Sequence, residues 1–177
     1  MPRFIAMLRG VNVGGNILKM DRLRELCDEL QFKNTKTYVQ SGNLVFDSDR
    51  PASVLCSLIE RRLAGETRLP VSVIKRTPAE LKQILSNNPF LKEKEIDRST
   101  LHVTFLAKPA GKVALNQLAA INSGVDRFRS IGKEIYVHCP NGYGETKLSN
   151  NAIQNLLGVI ATTRNWNTVN KLYEMAS

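Results

Sequence analysis

This chain has little of the material from which metal centres and nucleophilic active sites are built. It holds two histidines, His102 and His138, and three cysteines, Cys27, Cys56 and Cys139. The cysteines are far apart, odd in number and form no Cys-x-x-Cys pair. That excludes a disulfide framework and a zinc site, and points to a reducing compartment. No His-x-x-x-His pair and no aspartate cluster is present, so no metal is expected. Both histidines fall in predicted strands without acidic neighbours, which argues against a Ser-His-Asp triad around Ser41. The apolar run at 4–8 is too short for a signal-peptide core or a membrane span. A cytoplasmic protein with no membrane partner is the expectation. The Gly14-Gly15 pair is followed by Asn16-Ile17 rather than Lys-Ser/Thr, so it is not a Walker A loop, and Gly-x-Gly-x-x-Gly is absent.

What is present is an ordinary globular composition, 42% apolar and 23% charged over 177 residues. That length suits one domain or two small ones, and buries a core without staples. The net charge is +9 and is spread evenly: fourteen cations against nine anions up to residue 88, eleven against seven after it. A positive surface attracts anions such as nucleic acid, nucleotides or phosphorylated metabolites, and equally serves solubility.

The pattern repeats. An apolar run at 4–8 predicts a strand covered on both faces. Met20, Leu23, Leu26, Cys27 and Leu30 follow at helical spacing. Strands are predicted at 37–40 and 44–46 around a tight turn at 41–43, then a helix after Pro51 and a strand at 71–74. Thr77-Pro78-Ala79-Glu80 is a capping box that opens a bridging helix, which Asn87, Asn88 and Pro89 end. The second half reads the same way: a strand at 101–106, a helix through Val113 to Ile121, a hairpin about Gly132-Lys133, a helix after Ser149, and a strand at 159–162. A last helix carries Trp166, Val169, Leu172 and Tyr173. The expected fold is α+β: two tandem ferredoxin-like β-α-β-β-α-β subdomains related by duplication, plus a C-terminal helix. The expected boundaries are 1–77, a bridging helix and linker at 78–99, and 100–177.

Four polar segments stand out from this framework. Arg9-Gly10-Val11-Asn12-Val13-Gly14-Gly15 leaves the first strand toward a helix. Its glycines permit positive φ and close approach, so it reads either as an anion seat or as a tight turn with Asn12 satisfying the backbone. Gln40-Ser41-Gly42-Asn43 reads as a hairpin turn or as polar groups facing a ligand. Asn141 to Lys147, with Tyr143 and two glycines before a helix, reads as an anion nest or a connection. In Thr163-Arg164-Asn165-Trp166, Arg164 could pair with a phosphate and Trp166 stack on a ring. Alternatively, Asn165 or Thr163 caps the last helix while Trp166 fills the core.

In combination and in order, these segments resemble a bacterial family, the domain of unknown function (DUF) 1697. The resemblance rests on Leu8 to Gly15, Tyr38 to Phe46, Gly142-Tyr143-Gly144 with Lys147-Leu148, and Thr163 to Val169. It implies two similar α+β subdomains and no established activity. Members often carry a basic residue soon after Gly-Gly, where this chain has Asn16 and reaches Lys19 later.

The leading functional expectation is binding of a small phosphorylated or otherwise anionic, nucleotide-like ligand between the two subdomains. Arg9, Lys147 and Arg164 would neutralise it. Asn12, Gln40, Ser41, Asn43, Tyr143 and Asn165 would orient it, Gly14 and Gly15 would let the backbone approach, and Trp166 would stack. No cofactor is expected, no general base is evident, and the chain is expected to be a monomer or weak dimer. The alternatives are a nucleic-acid-binding module, which requires steep salt dependence, and a set of purely structural latches.

Overall fold

In the computed structural model, which describes residues 1–177, the two halves build the same sheet twice. The first strand, β1 (Arg3–Arg9), sends Phe4, Ala6 and Leu8 to one face and Ile5 and Met7 to the other, and all five are buried. That is why the run is continuously apolar rather than alternating. The helices α1 (Met20–Glu29) and α2 (Ala52–Leu63) cover the first face. Leu23, Leu26 and Cys27 of α1, and Leu55, Ile59 and Leu63 of α2, pack there with Phe46 and Val73. The strands β2 (Lys33–Tyr38), β3 (Asn43–Asp47) and β4 (Ser72–Arg76) complete a sheet of order β2-β3-β1-β4, antiparallel throughout.

The second sheet repeats that order. It consists of β5 (Leu101–Leu106), β6 (Arg127–Ile131), β7 (Glu134–His138) and β8 (Ala161–Asn165), arranged β6-β7-β5-β8 and again antiparallel. The helices α4 (Lys112–Ala119) and α5 (Asn150–Leu157) supply Leu118, Ile153 and Leu157 to its core. Two similar sheet–helix units result, as a tandem duplication would leave them.

Along the chain, α3 (Pro78–Ser86) follows β4 and is opened by the expected capping box. The Thr77 N–H donates to Glu80 Oε2 at 2.7 Å, and the Glu80 N–H donates to Thr77 Oγ1 at 3.2 Å. The last helix is α6 (Trp166–Ala176). The chain divides into two compact units, one of Met1–Lys82 with Lys171–Ser177 and the other of Gln83–Asn170.

Two strands lie elsewhere than their hydrophobicity suggests. β2 starts at Lys33 and ends at Tyr38, because Val39 takes φ 50° and turns the chain; Gln40 is in the turn, not the strand. β2 is an edge strand whose residues are exposed or half-buried, so no apolar alternation reveals its start. β8 runs from Ala161 to Asn165 through Thr-Thr-Arg, two residues later than expected. Backbone pairing with β5, from Leu106↔Ala161 to His102↔Asn165, carries it through those polar residues.

Candidate functional site

Strand register decides which of the polar segments meet. β1 is antiparallel to both β3 and β4, with Met7 opposite Asn43 and Arg9 opposite Ser72. The connections at 10–19, 39–42 and 64–71 therefore leave one end of the first unit's sheet. Two asparagines sew them together. Asn12 Nδ2 donates to the Leu18 carbonyl at 3.1 Å and the Gln40 carbonyl at 2.5 Å, while its Oδ1 accepts from the Leu18 N–H at 2.9 Å. Asn16, buried, donates to the carbonyls of Gly10 (2.6 Å) and Leu69 (3.3 Å), and accepts from the N–H groups of Arg68 (2.9 Å) and Leu69 (3.3 Å).

The turn at 39–42 is fixed as firmly. Gly42 has φ 80°, and a Cβ there would lie 2.6 Å from Val11 Cγ2 and 2.9 Å from Leu8 Cβ, so only glycine fits. Asn43 is buried; its Nδ2 donates to the Tyr38 carbonyl at 2.9 Å and to Ser41 Oγ at 3.1 Å. Ser41 thus meets an amide, and both histidines belong to the second unit. So Arg9, Asn12, Gln40, Ser41 and Asn43 come together at one sheet end, with Asn12 and Asn43 engaged with the backbone.

The outer side of the 10–19 loop differs from its inner side. Gly14 and Gly15 are exposed, with φ 56° and 79°. Neither N–H has an acceptor within the protein. The two glycines are the central residues of a tight turn that the Asn16 N–H closes on the Val13 carbonyl at 3.0 Å, and outward-facing amides of a turn are among the donor sets that hold anions.

In the second unit the segments part company. Tyr143 stacks on His102, with ring centroids 4.5 Å apart and planes at 27°, and its phenol oxygen accepts the Asn150 N–H at 2.7 Å. Asn150 continues the network: Oδ1 accepts the Thr163 hydroxyl at 2.9 Å, and Nδ2 donates to the Ala161 carbonyl at 3.1 Å. The Thr163 and Thr104 hydroxyls lie 2.8 Å apart. Burial pushes the His102 imidazole below the ordinary histidine range, and its Nδ1 is buried without a hydrogen-bond partner. His102, Thr104 and Asn150 were absent from the candidate set. The sequence signal was the pair of polar residues at alternate positions of a strand otherwise apolar on both faces.

Arg164 lies on the other face. Pairing puts Thr163 opposite Thr104 and Arg164 opposite Val103, so successive residues of β8 point to opposite sides. Arg164 is 7% exposed; its Nη1 donates to Thr162 Oγ1 at 2.7 Å and the Thr163 carbonyl at 2.9 Å. Trp166 is 4% exposed at the start of α6, and Asn165 Oδ1 caps that helix by accepting the Thr168 N–H at 2.8 Å. Tyr143 and Arg164 are therefore separated by the sheet. Lys147 is exposed just before Ser149, which caps α5 through the Ala152 N–H at 3.3 Å. The Asn141–Lys147 connection borders a concavity of about 310 Å³ that Asp126 and Glu145 also line. Two carboxylates make that hollow a poor seat for an anion.

Sequence comparison agrees with the geometry at the level of family. The family model described as "Protein of unknown function (DUF1697)" matches residues 1–136. The chain belongs to the DUF1697 family. The match contains the whole sheet end sewn by Asn12 and Asn16, and stops before Tyr143, Lys147 and Arg164. No curated protein matches the chain. Among solved structures, the conserved bacterial protein SP0830 from Streptococcus pneumoniae is similar at 20% identity, covering 99% of this DUF1697 chain and 98% of its own, with a TM-score of 0.78. At that identity the likeness carries the fold and nothing about activity.

Proposed function

We propose that this DUF1697 protein binds a small phosphorylated or otherwise anionic, nucleotide-like ligand, seated on the β1–α1 loop of the first unit. One observation carries the reading: the adjacent amides of Gly14 and Gly15 are exposed, in left-handed backbone, and without an acceptor in the protein. The loop is held open by Asn12 and Asn16 on its inner side, so the donors are in place before a ligand arrives. Arg9 at the end of β1, Lys19 in the 10–19 connection and Arg68 in the 64–71 connection add positive charge to that end. Calorimetric titration with inorganic phosphate and with ATP tests the proposal. A Gly15→Ala chain has open space for its methyl group, but the new residue is strained at φ 79° and reshapes the turn. The expected outcome is phosphate binding by the parent and an affinity lower by about tenfold in the variant, the loss of one good charge-assisted hydrogen bond. Absence of binding by the parent, or equal binding by both, removes the proposal.

A second reading has support in the other unit, where the Thr163 to Trp166 segment serves as a structural latch. Arg164 is buried and bonded within its own strand, Asn165 caps α6, and Trp166 is buried. The two readings concern different units and hold together. Replacing Arg164 by Ala separates them: a lowered melting temperature with unchanged phosphate affinity fits a latch, and the reverse pattern fits a ligand contact.

A further inference from the structure

The first unit concentrates its exposed large apolar side chains at the same sheet end. Val13, Ile17, Val39 and Leu69 are 56, 72, 44 and 55% exposed, and only Met1 and Val54 are comparable elsewhere in that unit. Single exposed apolar residues need no explanation, but four on mutually bonded loops do. Their setting is positive. Lys19 and Arg68 lie on the same loops, exposed and without an ion pair in the protein. The neighbouring carboxylates are already matched, Asp21 with Arg24 and Glu66 with Arg22. The loop also projects: a Cβ built on Gly14 or Gly15 meets nothing within 4 Å.

Projecting apolar side chains, unmatched cations and free phosphate-binding amides suit one kind of surface. We infer that this end of the first unit docks on an anionic membrane surface. Val13, Ile17, Val39 and Leu69 enter the interfacial layer, Lys19 and Arg68 meet lipid phosphates, and the Gly14 and Gly15 amides hold one of them. A rigid protein partner would need a groove matched to each projecting side chain, whereas a lipid interface accommodates them without one. No helix of the chain is long and apolar enough to cross a membrane, and the contact inferred is peripheral. The inference rests on the anion-seat reading and names the bearer of the anion.

Co-sedimentation with vesicles of phosphatidylcholine, alone and with added phosphatidylglycerol, tests it. The parent should sediment with the anionic vesicles, release at high salt, and leave the neutral vesicles unbound. Ile17→Ser and Leu69→Ser change exposed side chains and should each weaken partition by about tenfold. Val113→Ser, equally exposed in the second unit, should change nothing. Failure to bind anionic vesicles, or an equal loss in Val113→Ser, overturns the inference. Calorimetric phosphate binding without vesicle binding would sink this inference and leave the anion seat standing; loss of both would remove both.

Discussion

The two units share an element order and a strand order, yet they keep their polar groups in different places. β1 shows its helices Phe4, Ala6 and Leu8, whereas β5 shows His102, Thr104 and Leu106 at corresponding positions of the same topology. The first unit packs apolar side chains between its sheet and helices, and uses Asn12 and Asn16 to tie loops together at one sheet end. The second keeps a half-buried polar seam, from His102 stacked on Tyr143 through hydrogen-bonded Asn150 and Thr163 to the buried Thr104. The lesson is that backbone pairing preserves a fold while polar content migrates, and that a polar core residue consumed by its neighbours is not a site. The anion-binding proposal accordingly rests on the unit whose donors remain open.

The largest expected effect breaks the first unit's sheet end. Asn16→Ala removes four part-buried hydrogen bonds, to two carbonyls and two N–H groups, and should cost about 3 kcal/mol in urea unfolding, at somewhat under about 1 kcal/mol for each bond. A change under 1 kcal/mol would mean that water replaces Asn16 freely. In the second unit, Arg164→Ala should cost about 2 kcal/mol through its charged hydrogen bonds, read as a lowered urea midpoint with an unchanged slope.

Acid separates the units next. Hydrogen bonding from the Arg3 guanidinium holds the buried Asp47 carboxyl down at about 2, with Asn34 adding to the effect. Because the folded value lies below the unfolded one, the contribution is complete above about pH 4 and disappears as the pH falls toward 2. The step should reach up to about 2 kcal/mol and should shrink by more than half in Arg3→Ala, with Asn34 left to hold the remainder. The exposed Glu93–Arg127 pair of the second unit should give a smaller step, because solvent screens it.

The smallest effect belongs to His102. Burial lowers its folded value, so the unfolded chain takes up the proton first as the pH falls. Stability should therefore decline below about pH 6.5. An NMR titration of the His102 ring should show its midpoint below that of a free imidazole, and a midpoint at or above it would contradict a half-buried seam.

These contrasts show what the sequence could and could not disclose. β1 was legible because burial on both faces leaves an unbroken apolar run. The capping box of α3 was legible because Thr77 and Glu80 act locally. β2 was not, since an exposed edge strand has no alternation to read, and β8 was misplaced because its polar half is held by pairing with β5. Among the site candidates, strand pairing brings the loops of Asn12 and Gln40 to one sheet end and sets Arg164 on the face opposite Thr163. Asn16 stood out in the sequence only as a departure from a basic residue, because a buried asparagine that sews loops together looks, in sequence, like one dissolved in water.

The central claim is that the first unit offers an anion two open backbone amides. Phosphate titration followed by amide NMR reads those donors directly. The Gly14 and Gly15 resonances should shift first and furthest, saturably, with the second unit silent. Unmoved Gly14 and Gly15 resonances, or shifts led by Lys147 and Arg164, would contradict the account.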